Sequence, residues 1–286
     1  MILKTRTVDP GKRFPSAIMQ GVLTTRRAGR YFLHDHRRAT HSSRRLRGQT
    51  TAAHTLATMR VVRLWRYPVK SMLGERLTEA AIDHRGVVGD RRYAVRTADD
   101  KLGSGKNSRR FRRIDGLFEL SAHYRGTDEP PAVTHNGTEL TTDDIRKFLG
   151  RTDIRLAIED DIPHFDDAPL HMATTASIAA IADNVHTVAV DERRFRPNIV
   201  IDTDEKGFVE NDWVGRTATV GPVRIEFTKL TERCVMTNNA QYELGRSPEV
   251  LKTATRLNHM CVGIYALVLQ PGTVRLGDRF ELSPAD

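Results

Sequence analysis

Cys234 is the first candidate for chemistry, because it lies in the polar segment TERCVMTN, residues 231–238, directly after Arg233. A thiolate is the reactive and metal-ligating form of cysteine, and a nearby cation favours it. Neighbouring residues on a strand point to opposite faces, so Arg233 need not be that cation. A soft thiolate suits a soft or high-valent metal centre better than a hard cation.

A small buried side chain without chemistry is the alternative role for a lone cysteine. The other cysteine of this 286-residue chain, Cys261, fits that role because it precedes the apolar run VGIYALVL, residues 262–269. Two cysteines are too few for a disulfide framework. This composition favours a reducing compartment, and we expect a cytoplasmic location.

The loop GSGKNS, residues 103–108, invites comparison with nucleotide-binding P-loops. That motif requires Ser or Thr after Gly-Lys and a glycine five residues before the lysine. Asn107 follows Lys106, and Lys101 stands five residues before it, so nucleotide hydrolysis is disfavoured. The loop continues as SGKNSRRFRR, and its basic residues could bind an anion together with backbone amides. These are Arg109, Arg110, Arg112 and Arg113. A solvated basic turn is the alternative.

Zinc-protease and serine-hydrolase signatures are missing from the sequence. It has no His-Glu-x-x-His, its cysteines are too far apart for a zinc knuckle, and it has no Gly-x-Ser-x-Gly. Histidines are scattered along the chain after residue 58. We interpret four of them, each taken alone, as structural: His84, His123, His164 and His171.

The net charge of +9 is confined to the first part of the chain. Residues 1–58 contain 12 basic and 2 acidic residues, and the remainder contains 33 and 34. The main body therefore has no basic excess, and we expect no nucleic-acid partner. We also expect no membrane span, because no apolar run approaches the roughly 18 residues that a membrane helix needs.

The basic leader, residues 1–58, has no sustained apolar period and no secretory signal. We predict that the natural protein begins at Met59, where MRVVRLWRYPVKS opens on a strand pattern and the charge balance changes. A disordered basic arm and a transit-like segment are the alternatives.

Short strands separated by Gly, Pro and Asp dominate the sequence after Met59. Among them we predict strands in 61–69, 77–97, 116–124, 154–159, 198–203, 217–230 and 262–282. Helices are predicted over 141–150, capped by Thr142 or Asp143, over 174–183 with a threonine cap, and over 247–258 with Ser247 at the N-cap. The pattern predicts a mostly β fold with a few helices and two barrel-like halves.

Four motifs occur in order along this β-rich body: YPVKS at 67–71, GDRRYAV at 89–95, FRPNIVID at 195–202 and ERCVMTN at 232–238. With the closing PGTVRLGD, they resemble MOSC-domain proteins, named for the C-terminal domain of molybdenum cofactor sulfurases. The first half resembles the β-barrel domain that precedes MOSC in the mitochondrial amidoxime-reducing component and its bacterial relatives. The resemblance implies a leader at 1–58, a MOSC N-terminal β-barrel domain at 59–165 and a MOSC domain at 166–283.

The resemblance also implies a site for the molybdenum cofactor. Cys234 would be the catalytic residue and the protein's ligand to the metal, beside two dithiolene sulfurs of the pterin. Donors from both halves would hold the anionic cofactor, in keeping with the chemistry of Lys, Arg, amide and hydroxyl groups. The implied residues are Lys70, Ser71, Arg91, Thr174, Ser177, Arg196, Asn198 and Arg233. Turn formation, a surface ion pair or backbone capping is the alternative for each.

The activity implied is that of an oxidoreductase cycling Mo(VI) and Mo(IV), which removes oxygen from small N-hydroxylated compounds by oxygen-atom transfer. The chain lacks the Cys-x4-Cys-x2-Cys run of a ferredoxin, so a separate flavin, ferredoxin or cytochrome would donate electrons. Pyridoxal phosphate is not expected, because there is no room for a desulfurase domain. The segment NNAQYELG, 238–245, departs from the acidic, proline-containing stretch of amidoxime-reducing relatives, which leaves the substrate open.

Two other functions remain open at the level of sequence. Cys234 could carry a persulfide received from a desulfurase, or the protein could store the cofactor without turnover.

Overall fold

The structure, a computed structural model, describes residues 59–126, 129–241 and 243–284. The predictions about residues 1–58, including the start at Met59, lie outside the described residues.

Short strands build the first half, and some of them alternate in burial. The strand Glu79–Asp83 alternates exposed and buried residues, which is the two-residue period of a half-buried strand. In chain order the strands of this half are β1 Arg60–Arg66, β2 Glu75–Leu77, β3 Glu79–Asp83, β4 Gly86–Val87, β5 Tyr93–Thr97, β6 Leu102–Ser104, β7 Phe111–Arg113, β8 Ser121–His123, β9 Ala132–His135, β10 Thr138–Glu139 and β11 Ile154–Ile158.

The second half contains longer strands, and its central strand β16 is apolar over most of its length. Val262 to Ile264 are buried without alternation, as expected of a strand covered on both faces. The strands of this half are β12 Leu170–Thr174, β13 Ile199–Asp202, β14 Thr217–Val220, β15 Val223–Glu232, β16 Cys261–Gln270, β17 Gly272–Arg275 and β18 Phe280–Leu282.

Helices occur where their caps were predicted, with one correction. Helix α1, Thr142–Phe148, is capped by Thr141 through a capping box, not by Thr142 or Asp143. Helix α2, Thr175–Ala182, is capped by Thr174 as predicted. Helix α3, Glu249–Asn258, follows Pro248, which is already helical, and the Ser247 hydroxyl accepts from the Glu249 amide. Within the described ranges no helix has both the length and the apolar character needed to cross a membrane.

The strand predicted over 116–124 is only partly correct. Gly116 has a φ of 87°, and a 3-10 turn follows at Leu117–Glu119 before the short strand β8. Leu117 and Phe118 are both buried although they are adjacent, which an alternating, half-buried strand does not permit. The turn therefore replaces the first part of the predicted strand.

The mostly β fold with two barrel-like parts is confirmed, and two of the three apolar cores in the described residues lie in those parts. The first lies against a curled eight-stranded sheet of order β18-β14-β15-β16-β12-β13-β1-β2. The second lies between the sheets β11-β5-β6-β7 and β10-β9-β8 and includes Met72, Val95 and Leu120.

Strand pairing interleaves the two halves. Strand β1 pairs with β13, and β17 pairs with β3 in a small sheet of order β17-β3-β4. The predicted domain boundary between residues 165 and 166 stays a prediction. The strand pairings cross it, because β1 of the first half pairs with β13 of the second and β17 of the second half pairs with β3 of the first.

Candidate active site

A cavity of about 650 Å³ is lined by residues from both halves of the chain. Six of the nine predicted site residues lie on it: Lys70, Ser71, Arg91, Arg196, Arg233 and Cys234. Seven basic side chains line it against three acidic ones. Cavities of this volume and polarity commonly bind small molecules, and the excess of cations favours an anionic ligand.

Cys234 is held at the cavity by its own backbone. It follows β15 in extended conformation, and its carbonyl accepts hydrogen bonds from the Thr237 amide (3.0 Å) and hydroxyl (2.9 Å). The amide of Arg233 donates to the Met260 carbonyl at 2.8 Å. The half-buried thiol has Lys106 Nζ at 3.8 Å from its Sγ, so Lys106 supplies the neighbouring cation.

Arg233 also lines the cavity, although Lys106 is the cation beside the Cys234 thiol. Its Nη2 donates to the Phe195 carbonyl at 2.8 Å, and its Nε has no hydrogen-bond partner among the described residues. The guanidinium therefore retains a free donor beside the cavity.

Lys70 and Ser71 lie a few residues after β1, which ends at Arg66 and not at residue 69 as predicted. The buried Lys70 ammonium donates to the His164 carbonyl at 2.8 Å and forms an ion pair with Asp166. Burial lowers the pKa of Lys70, and the charge of Asp166 opposes that shift. The Ser71 hydroxyl donates to the Gly103 carbonyl at 3.1 Å.

Arg91 and Arg196 face the same aromatic ring. Their guanidinium carbons lie 4.8 and 4.1 Å from the centroid of buried Tyr67, within cation–π range. Arg91 is also paired with Asp90, whereas Arg196 donates to the Met72 carbonyl at 2.7 Å and leaves Nη2 without a partner. Burial and the charge of Arg91 lower the pKa of Arg196 to about 10.

Three of the predicted site residues have left-handed backbone conformations. The φ angles are 64° for Ser71, 48° for Arg91 and 56° for Arg196. A non-glycine residue in this region costs of order 1–3 kcal/mol and persists only where the surrounding structure holds it. Such residues are concentrated at binding and catalytic sites, which supports a functional role for this cavity.

Asn198 lies on an adjoining cavity of about 30 Å³ that shares Arg91, Arg196 and Arg233 with the larger one. Its Oδ1 accepts from the His171 amide at 3.2 Å, and its Nδ2 donates to the Trp65 carbonyl at 3.4 Å. The side-chain amide thus joins β1 to β12 near the cavity. Its predicted contact with a cofactor stays a prediction.

Thr174 and Ser177 are fully buried and do not line the larger cavity. The side chains of both residues form the hydrogen bonds of the capping box of α2. The Thr174 hydroxyl donates to Glu210 Oε2 at 2.9 Å, and Glu210 Oε1 accepts from the Gly263 amide at 3.0 Å. The structure gives these two residues a capping role, and it does not bring them to Cys234.

Two residues of the basic loop reach the cavity, although the sequence did not distinguish them from their neighbours. Lys106 and Arg110 line it, whereas Arg112 and Arg113 pair with Asp99 and Asp115, each at 2.8 Å. Asp166 was also missed. Nothing in its local sequence indicates that it pairs with Lys70, because 96 positions separate them.

The donor set fits an anionic cofactor that carries its own metal ligands. Buried side-chain atoms without partners in the described residues include Arg196 Nη2, Arg233 Nε and both polar atoms of Gln241, and all three residues line the cavity. In the part of the chain that the structure describes, no group of three or more His, Cys, Asp or Glu could hold a bare metal ion. The Cys234 thiolate could serve as a soft ligand to a metal held mainly by a cofactor.

Two family profiles match the chain. The MOSC N-terminal beta barrel domain matches residues 58–147, and the MOSC domain matches residues 153–281. This chain belongs to the MOSC-domain proteins with an N-terminal MOSC β-barrel domain. The family resemblance predicted from the four motifs is therefore confirmed for this MOSC-domain protein.

Solved structures similar to this MOSC-domain protein are distant in sequence. The YUAD protein from Bacillus subtilis is 12% identical over 81% of this chain and 100% of its own, with a TM-score of 0.45. A hypothetical protein is 12% identical over 80% of this chain and 69% of its own, with a TM-score of 0.38. YiiM from Geobacillus stearothermophilus is 16% identical over 46% of this chain and 67% of its own, with a TM-score of 0.34. None of the curated proteins compared with the chain matches it.

Proposed function

We propose that the large cavity binds the molybdenum cofactor and that the protein reduces N-hydroxylated compounds. The observation that carries this proposal is the position of Cys234, a half-buried thiol on a 650 Å³ cavity with seven basic side chains. MOSC domains are known in molybdenum-cofactor-binding proteins, which agrees with that chemistry. The proposal assigns Cys234 Sγ as the protein's ligand to the metal.

Both halves of the protein contribute to binding in this proposal. Lys70, Arg91 and Arg196 would neutralise the anionic cofactor, and Arg196 Nη2 offers a donor that the fold leaves free. Arg233 Nε offers another, directly before the thiol. Because Ser71 Oγ already donates to Gly103, its role would be to accept a hydrogen bond from the ligand or to fix the loop.

The bound cofactor would supply two-electron redox chemistry, for which the protein provides binding, orientation and electrostatics. Removing oxygen from a hydroxylamine-type substrate consumes two electrons and two protons and yields the amine and water. The electrons would come from a separate flavin, ferredoxin or cytochrome partner. Tyr265, on the cavity wall, has its pKa raised to about 12 by burial and by the charge of Asp166, so its hydroxyl stays protonated near neutral pH.

The test is to purify the full chain from a host that makes the cofactor, then measure molybdenum by elemental mass spectrometry. Benzamidoxime serves as the substrate probe and reduced methyl viologen as the electron donor. We expect near-stoichiometric molybdenum and benzamidine formation that depends on the reductant.

Metal without turnover would contradict the reductase and support cofactor storage. Protein without metal would contradict the proposal, and a persulfide on Cys234 would then support the sulfur carrier.

A further inference from the structure

The basic loop between β6 and β7 delivers a side chain from the first half of the protein to the candidate metal ligand in the second half. The Ser104 hydroxyl lies 3.8 Å from Met236 Sδ. A Cβ added to Gly105 would lie 2.8 Å from the same sulfur, so glycine permits this close approach. The next residue, Lys106, places Nζ at 3.8 Å from Cys234 Sγ.

Three cations surround the ring of Phe111, and they differ in what else they contact. Lys70, Lys106 and Arg110 lie 5.3, 5.2 and 5.4 Å from the ring centroid. Lys70 is paired with Asp166, and Arg110 donates to the carbonyls of residues 163, 165 and 166. Among the residues described, Lys106 has no carboxylate or carbonyl partner. Its charge is therefore available at the sulfur.

Solvent reaches the Cys234 end of the cavity, and it also reaches Asp166 and Asp167 on the cavity wall, whose side chains are 56% exposed. Val235, the residue after Cys234, is 52% exposed, whereas Lys70 and Arg91 at the other part of the wall are buried. A substrate entering beside Cys234 would thus meet Lys106 before it meets the other cations.

We propose that Lys106 is a specificity-determining residue that selects substrates with a negative charge next to the reacting N–O group. This inference rests on the proposed function for the identity of the reaction. The electrostatic preference itself belongs to the protein and exists without the cofactor.

Acidic residues on the cavity could weaken this preference for negatively charged substrates by opposing the charge of Lys106. Asp166 is paired with Lys70, and Asp167 lies 2.5 Å from Lys229. Glu232 is exposed and forms no ion pair with any described residue, so it is the opposing charge at this end. Removing Glu232 should therefore shift selectivity in the direction opposite to removing Lys106.

Alkylation of Cys234 in cofactor-free full chain provides the test. The thiolate attacks the methylene carbon of iodoacetate or iodoacetamide, a carbon–sulfur bond forms, and iodide leaves with the bonding electrons. The two reagents differ in charge at the position that Lys106 would contact. Peptide mass spectrometry separates Cys234 from the buried Cys261, and the ratio of the two rate constants at one pH reports the local charge.

We expect the iodoacetate-to-iodoacetamide ratio to fall about fivefold in Lys106→Gln, the effect of about 1 kcal/mol between unit charges about 4 Å apart in water. Lys106→Arg should keep the ratio, and Glu232→Gln should raise it. Arg109→Gln removes an exposed cation of the same loop that does not line the cavity, so it should change nothing. In the unaltered protein the ratio should fall as salt rises from about 10 mM to about 1 M.

An unchanged ratio in Lys106→Gln, or a ratio in the unaltered protein that does not respond to salt, would overturn the inference while leaving the reductase proposal intact. In loaded enzyme, Lys106→Gln should raise KM for N-hydroxyglycine, whose carboxylate lies next to the N–O group, and leave KM for uncharged N-ethylhydroxylamine unchanged. Equal changes for both substrates would also overturn it. Failure to bind molybdenum would contradict the proposed function alone, because the alkylation ratio does not depend on the metal.

Discussion

Arg196 on the cavity and buried Thr174 behind it differ in how far their polar atoms are satisfied by the protein. Arg196, on the cavity, has a left-handed backbone and a donor without a partner. Thr174, behind it, is fully buried, and its hydroxyl is used by the α2 capping box and Glu210. The Arg196 guanidinium therefore has a donor available to a ligand, whereas the Thr174 hydroxyl is already hydrogen-bonded within the protein.

The difference indicates where the fold leaves a buried polar atom unsatisfied, at a free-energy cost that a bound ligand could offset. A buried polar atom without a partner costs about 1–3 kcal/mol, so most are satisfied within the protein. Unsatisfied atoms of Arg196, Arg233 and Gln241 belong to residues of one cavity wall, where a ligand could reach them, whereas those of Arg216 and Thr231 lie elsewhere. A ligand that formed hydrogen bonds with the atoms on the cavity wall would offset that free-energy cost. The Thr174 hydroxyl already has hydrogen-bond partners within the protein, so it offers a ligand no such gain.

The two cysteines give the largest expected contrast. Cys261 is buried, its thiol donates to the His259 carbonyl at 3.7 Å, and burial raises its pKa. Cys234→Ala should lose essentially all molybdenum, whereas Cys261→Ala should retain it with reduced stability. Elemental mass spectrometry and thermal unfolding of both variants measure this. Metal retained in Cys234→Ala would remove the assigned ligand.

Two cavity arginines test the role of the free donors. Arg196 has an unpartnered Nη2, whereas Arg194 donates to three carbonyls: Ala189 at 3.1 Å, Thr237 at 3.3 Å and Gly245 at 2.7 Å. Arg196→Gln should weaken cofactor binding about tenfold to a hundredfold, the usual worth of a hydrogen bond to a charged group. Arg194→Gln should instead lower stability, because it breaks contacts of the fold.

Cofactor retention during dialysis and urea unfolding separate these outcomes. If Arg194→Gln lost cofactor as readily as Arg196→Gln at unchanged stability, free donors would not distinguish ligand-binding residues here.

His164 connects the two regions and makes stability depend on pH. Its carbonyl accepts from Lys70, while its fully buried ring lies 3.2 Å from Arg96 Nη2. Burial, reinforced by the charge of Arg96, lowers the pKa of His164 to about 4. The unfolded chain, with a histidine pKa near 6.5, therefore binds more protons between about pH 4 and 6.5, and stability falls as pH drops through that window.

The loss should reach up to about 3 kcal/mol, because one pKa unit corresponds to about 1.4 kcal/mol. His164→Gln should flatten the dependence in urea unfolding measured at several pH values. His171, whose pKa burial also lowers, should maintain a slope of the same sign in that variant. Identical pH profiles for the variant and the unaltered protein would show that His164 does not contribute.

The capping threonines should give the smallest effects. Thr174→Ala removes the α2 cap and a hydrogen bond to buried Glu210, so it should cost about 2 kcal/mol. Thr141→Ala removes only the exposed cap of α1 and should cost about 1 kcal/mol. Molybdenum content should be unchanged in both. Metal lost from Thr174→Ala at full stability would place this hydroxyl in the cofactor site after all.

Local sequence patterns predicted whether a segment is a strand or a helix better than they predicted which strands pair with each other. Alternation identified strands such as β3, and cap residues identified α2 and α3. The pairing of β1 with β13 depends on contacts between segments more than a hundred residues apart, which no local pattern contains. At Gly116 the chain turns because two adjacent apolar residues both enter a core, and composition alone does not distinguish this from a strand.

Most of the site residues were predicted through the family resemblance and not from local patterns alone. Lys70, Arg91 and Arg196 were assigned in this way, and their positions on the cavity agree with a ligand site because such charged side chains are costly to bury. Thr174 and Ser177 were also assigned to the cofactor through the family resemblance, and in the structure their hydroxyls form the capping box of α2. Lys106 was seen only as part of a basic loop, since 128 positions separate it from Cys234.

The pairing of β17 with β3 has a consequence for how the protein can be synthesised. A ribosome adds residue 79 long before residue 275, so β3 leaves the ribosome without the neighbour to which it finally bonds. Domains generally fold as units during translation, but this edge cannot close until nearly the whole chain has emerged. A fragment ending at residue 271 should therefore expose a bare β-strand edge, and such edges promote aggregation.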